Sequence, residues 1–313
     1  MKIFIKNLLL ALLVSTGLMA ASGTHYVQIL TADNTEGKIT PKTIEATFEK
    51  AGFFINDNRD MNAPFVKNFK TTEFAVYNLF TVFKKDTVLA LVKKYPNIGL
   101  FTPMSMSIYT RKGSQIISVA NLSVPAMAKI MGIPENDVDL LAYGKLVQDT
   151  LRKALPNAKV ETVVYKMKKA AGDLVSKATL TIPKGADWEE VKDDFEMNFE
   201  GELPGNDFIM AGFNDLNYDF EEAKFEAFNF YDVYSICNIS VIYTVSKRHP
   251  EAGAFAPCSL YMYNKKGTNT IEMAFPSVYN WIASLAIEDK PSIEVLVAAQ
   301  VKMELILEKL TKK

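Results

Sequence analysis

The chain has 313 residues, 49% of them hydrophobic, with 35 basic and 36 acidic side chains and a net charge of −1. It has neither the basic excess of a nucleic-acid-binding domain nor the low-hydrophobicity, high-charge composition of a disordered chain. Two cysteines and two histidines exclude a disulfide-rich scaffold, a histidine-rich metal cluster and a repeated histidine-based triad.

Lys2 and Lys6 precede an apolar run from Leu8 to Leu18, and Ala20, Ala21 and Ser22 follow. This is the charged region, short apolar region and small-residue cleavage zone of a secretory signal peptide, so residues 1–22 are expected to be removed. The run is shorter than the ~20 residues a membrane span needs, no cysteine follows it to carry a lipid, and no other stretch is long and apolar enough to span. The mature protein, about 290 residues and enough for two cores, is expected to be soluble and periplasmic or secreted, with no stable membrane anchor.

His25 to Thr31 alternates as a strand. Thr40 and Pro41 supply a cap and a first-turn proline for a helix whose stripe is Ile44, Phe48 and Ala51 and which Gly52 ends. Little pattern follows until Phe74 to Phe83, rich in Val, Tyr and Phe, which reads as a strand. A short helix at Asp86 to Lys94 leads into YPNIGLFTPMSMSIYTRKG, Tyr95 to Gly113. Here Met104, Met106 and Ile108 alternate with Ser105, Ser107 and Tyr109, giving a strand with one apolar and one polar face. Lys112-Gly113 turns it into a partner strand, Gln115 to Asn121, and a helix from Asp137 to Leu155 ends at Pro156.

The same stretch returns 154 residues later as HPEAGAFAPCSLYMYNKKG, His249 to Gly267. The prolines, glycines and Phe101/Phe255 recur in place without a gap, so one backbone is expected twice, because Pro fixes φ and Gly permits positive φ. A tandem organisation follows, with a first unit over 23–157 and a second over 158–313. The second opens with a connecting hairpin at about 160–183, Val160 to Lys168 with Ser176 to Ile182, turning around Gly172-Asp173. A helix at Asp187 to Met197, a loop around Pro204-Gly205, Ala211-Gly212-Phe213 echoing Ala51-Gly52-Phe53, and a final helix with Leu296, Ala299, Met303, Ile306 and Leu310 complete it. The fold class is α+β, two antiparallel sheets with helices on one face of each. Split at residue 170, the mature chain has 20 basic and 13 acidic side chains before and 13 and 23 after, so the halves carry +7 and −10. That asymmetry favours intramolecular pairing of the units, although solvated charged surfaces account for it equally.

Ile236-Cys237-Asn238, then His249 to Cys258, then Phe275-Pro276 are similar to the Cys-Asn, Pro-x-x-Gly…Pro-Cys and Asp-Pro signature of the domain-of-unknown-function 302 family. Only the second half keeps the cysteines; Phe80 and Met104 stand where Cys237 and Cys258 stand, and Asn121-Leu122 replaces Asp-Pro. The resemblance implies a β-α-β-β-β-β-α unit like that of the TATA-binding protein. It implies no established activity, ligand or catalytic residue, and the likeness to a DNA-binding fold is no argument for nucleic acid as a partner.

Cys237 and Cys258 fall on two strands of one sheet and can be read as a disulfide, a thiol-redox pair, or, with His249, a soft-metal site. They can equally be read as buried small hydrophobes, since Cys258 shares a face with Leu260 and Met262. Met104 and Met106 have thioether spacing but read best as core. Asp215, Asn217, Asp219 and Glu226 fall at EF-hand positions one, three, five and twelve, a calcium-like pattern that lacks the glycine at position six, where Phe220 stands. No phosphate-binding or dinucleotide-binding glycine motif occurs, no catalytic constellation is formed, and no cofactor is implied. The reading is an exported, non-catalytic module that binds an unidentified periplasmic ligand or protein. Its contact surface would be the polar strand face of Ser105, Ser107 and Tyr109 with Ser259, Tyr261 and Tyr263, unless that face is the seam between the units. The alternative is a thiol-redox or soft-metal protein centred on the second unit's cysteines.

Overall fold

The computed structural model describes residues 26–161 and 169–312. The signal peptide expected at 1–22, His25 and much of the first arm of the expected connecting hairpin lie outside the described residues. Among those described, no helix is long and apolar enough to cross a membrane.

The first half runs β1 (Val27–Asp33), α1 (Pro41–Lys50), β2 (Phe54–Asp60), α2 (Asn62–Phe69), β3 (Phe74–Phe83), α3 (Lys85–Val92), a 3-10 helix (Pro96–Phe101), β4 (Met104–Arg111), β5 (Ile116–Leu122), α4 (Val124–Met131) and α5 (Val138–Ala154). After β6 (Lys159–Glu161) the same series follows: β7 (Val175–Thr181), α6 (Trp188–Gly205), β8 (Ile209–Asp215), α7 (Leu216–Glu222), β9 (Phe228–Cys237), α8 (Ile239–Ser246), a second 3-10 helix (Pro250–Phe255), β10 (Cys258–Lys265), β11 (Thr270–Pro276), α9 (Tyr279–Ser284) and α10 (Lys290–Thr311). The sheets are antiparallel, with strand orders β2-β3-β4-β5-β1-β6 and β8-β9-β10-β11-β7. The fold is α+β, and both sheets carry the order second, third, fourth, fifth, first.

Local chemistry sets the element ends. Thr40 and Thr43 form a reciprocal capping box ahead of Pro41. Asp137 and Asp289 cap α5 and α10 through their carboxylates. Gly113 and Gly267 turn the two hairpins at φ of 79° and 81°, the left-handed region that a side chain disfavours. The stripe Phe195, Phe199, Leu203 carries α6 through the region read as a loop, with Pro204 in its last turn.

Four expectations need correcting. The described part of the first hairpin arm, β6, does not pair with β7; it pairs with β1 and extends the first sheet. The patternless stretch after Gly52 holds β2 and α2. Ala211-Gly212-Phe213 does not repeat the end of a helix but lies inside β8, at a bulge matching the one between Ile55 and Asp57 in β2. In the equivalent strands β3 and β9, Phe83 rather than Phe80 ends the strand as Cys237 does. In β2 and β8 the extra residue at the bulge breaks the two-residue period by which a strand shows itself in sequence.

Alternate residues of each sheet face helices: α1 and α5 cover the first, α6 and α10 the second. The opposite faces meet the other half, and the buried side chains form one continuous core.

Candidate functional site

The polar strand face is covered from within the chain. Ser105, Ser107, Ser259 and Tyr261 are buried, and Tyr109 and Tyr263 are partly exposed. Each 3-10 helix lies on the other half's sheet, and the bonds are reciprocal. Ser105 Oγ donates to the Pro257 carbonyl at 3.0 Å and Ser259 Oγ to that of Pro103 at 3.3 Å. Tyr77 donates to the Pro250 carbonyl at 3.0 Å, and Tyr231 donates to that of Pro96 while accepting from the Gly99 amide at 3.1 Å. The approach depends on Gly99 and Gly253: a Cβ on either would fall 2.6 Å from Tyr261 Cβ or Ser107 Cβ, respectively. Ser105, Ser107, Ser259 and Tyr261 therefore lie in the seam and not on an outward contact surface, because the shared Pro-x-x-Gly turn fills the space before them, while Tyr109 and Tyr263 stay partly exposed.

The two thiols meet in a different place. Cys237 at the end of β9 is buried, Cys258 at the start of β10 is partly buried, and both are free. Burial pushes each thiol up to about 12, Cys258 with a smaller contribution from its neighbour Cys237. Both line an apolar cavity of about 60 Å³ beneath α8, α9 and α10, together with Ile242, Phe275, Trp281 and Met303. The Trp281 side chain lines this cavity, and its indole N–H is buried without an acceptor, a loss of about 1–3 kcal/mol for an orphaned donor.

This cavity reflects a size difference between the halves. Gln148 of α5 donates to Gln28 of β1, and Gln300 of α10 donates to Ser176 of β7, each at 2.6 Å, which fixes the register of the two helices. In that register Val147 and Leu151 match Ala299 and Met303, while the strands match Phe83 and Met104 with Cys237 and Cys258. Phe, Met and Val in the first half thus become Cys, Cys and Ala in the second, and the space they vacate is partly refilled by Trp281 and by Phe275, which stands where Asn121 stands.

The remaining candidates are dispersed. Among the described residues no three His, Cys, Asp or Glu side chains assemble into a possible metal site, so His249 does not join the thiols. His249 begins the second 3-10 helix and lies 3.5 Å from Glu251. The calcium-like pattern is not a loop. Asp215 caps α7 by accepting from the Tyr218 amide, Asn217 is buried within that helix, Asp219 pairs with Lys85 at 2.6 Å, and Glu226 faces Lys266 at 3.8 Å. A helix turns these groups to different sides, where a calcium loop converges them. Met104 and Met106 are core residues.

Sequence reasoning missed Trp281, Ala299 and a buried polar group under α6. Asp232 is 1% exposed, 2.9 Å from Lys192, and burial raises its carboxyl to about 7, against the opposing pull of Lys192. Beside it Tyr234 donates to Glu196. The signal was present as a contrast: Asn78 and Phe80 hold these positions in the first half.

No family model matches the chain, and no curated protein matches it. Among solved structures it is similar to the uncharacterized conserved protein DUF302 from Bacillus stearothermophilus, at 15% identity and a TM-score of 0.33. That likeness covers 45% of this chain and 98% of the other.

Proposed function

We propose that this is an exported, non-catalytic binding protein that takes a small apolar group into the cavity beside Cys237 and Cys258. The observation that carries the reading is the cavity itself, lined by Cys237, Cys258 and Ala299 where the first half has Phe83, Met104 and Val147. Apolar cavities of this kind stay dry and accept apolar guests. Burial of both thiols speaks against the redox or soft-metal alternative, since the thiolate is the reactive and metal-binding form.

The test restores the first half's side chains. Xenon should occupy the cavity of the parent under pressure, and the Cys258→Met, Ala299→Val variant should lose that occupancy while folding at least as stably. Equal xenon occupancy in parent and variant would sink the proposal. Export is tested by fractionating cells that express the full chain, with cytoplasmic, uncleaved protein as the contrary result.

A further inference from the structure

We infer that the ligand of this site is a small cationic amphiphile, whose alkyl end enters the cavity and whose ammonium head lies in the groove outside it. This rests on the cavity reading above and names the class of molecule. A cavity of about 60 Å³ corresponds to roughly two waters' share of liquid volume, far below the ~300–1,000 Å³ of a site that encloses a whole ligand. The rest of the molecule must lie elsewhere.

The adjoining space is a groove of about 690 Å³ between α2, the end of α6, the start of β8 and the start of α8. Phe208 and Asn238 line both the cavity and the groove, so the two spaces share a wall. The groove brings together Asn68, Ser240 and two carboxylates, Glu200 and Asp207, with no Lys or Arg among its described lining residues. Lys302 reaches Asp207 at 2.6 Å from outside, leaving the negative charge of Glu200 to set the sign. An ammonium head placed there meets an opposite charge, whereas a carboxylate head meets a like one. The cavity is therefore apolar and the groove beside it acidic, with Phe208 and Asn238 bordering both.

The chain has two tryptophans. Trp188 stacks on Phe230, 5.7 Å between ring centroids, and Trp281 lines the cavity. In a full-length Trp188→Phe variant, Trp281 emission reports on the site, and primary n-alkylamines and n-alkanoates of four to ten carbons are the probes. Amines should bind at least tenfold more tightly than alkanoates of equal length. Glu200→Gln, a change at an exposed position, should remove most of that preference while leaving xenon occupancy unchanged. Equal affinity for the two series, or a preference that survives Glu200→Gln, would overturn the inference about the head group. Xenon occupancy without binding of any amphiphile would also overturn it and leave the cavity reading standing. Amine binding undiminished by Cys258→Met with Ala299→Val would show that the molecule does not use the cavity, and both readings would fall.

Discussion

Asp232 and the two cysteines show what burial does to a titratable group when its partners are few. The Asp232 carboxyl, raised from 3.8 to about 7, holds a proton in the folded protein that the unfolded chain releases near pH 4. The folded state therefore binds more protons between about pH 4 and 7, and stability falls as pH rises through that window by up to about 4 kcal/mol. Asp232→Asn, which installs the first half's residue at Asn78, should flatten that part of the profile when denaturation midpoints are compared with the parent. Identical pH dependence in the two proteins would show that Lys192, at 2.9 Å, keeps the carboxylate ionised throughout. The thiols make a parallel case with a chemical readout. Held up to about 12, each is ionised in only about one molecule in 10⁴ at pH 8. A thiol-specific chromogenic reagent should find no fast-reacting thiol in native protein and two after unfolding; rapid labelling of the native protein would revive the redox reading.

At the scale of elements, the 3-10 helices are the pieces that both halves need. Gly253→Ala would place a Cβ 2.6 Å from Ser107 Cβ and 3.2 Å from its Cα, which the backbone of β4 cannot yield cheaply. Overpacking of this kind costs about 1–3 kcal/mol. Gly132→Ala meets nothing within 4 Å, although its φ of 69° strains any side chain, so it isolates the backbone cost from the packing cost. Thermal melts should show the larger loss for Gly253→Ala, and equal losses would mean that the seam relaxes around the new methyl. The repeated Pro-x-x-Gly stretch was legible in the sequence because its prolines and glycines recur without gaps, as were the helices with a stripe and a cap, α1, α5 and α10. The sequence hid β2 and β8, whose bulges break the two-residue period, and α4, where Val124 to Met131 is buried on too many sides to show a stripe. The cavity was illegible for a different reason. It depends on which residues of a strand and a distant helix share one wall, and the alignment that would reveal the missing volume was set three residues out at Phe80.

Over the whole molecule, the charge asymmetry of +7 and −10 suggests halves held together electrostatically, but the seam itself is built otherwise. Its reciprocal bonds run from neutral hydroxyls to proline carbonyls, and aromatic rings interlock across it, with Tyr243 of α8 stacked at 3.9 Å on Phe69 of α2. One ion pair that crosses, Lys85 with Asp219, leaves Lys85 half exposed, and exposed pairs contribute only about 0–1 kcal/mol. Salt screens surface charges over about 10 Å at 0.1 M and leaves buried apolar contact intact. Because the core is continuous across the seam, neither half can lose its sheet without exposing the other's Tyr77 or Tyr231, both fully buried. Calorimetry of the full chain should therefore give one cooperative transition whose midpoint moves little between about 0.05 and 0.5 M monovalent salt. Gly253→Ala should lower that single transition as a whole. Two resolved transitions, or a midpoint that drops steeply as salt rises, would mean that the halves are independent bodies joined by their opposite charge.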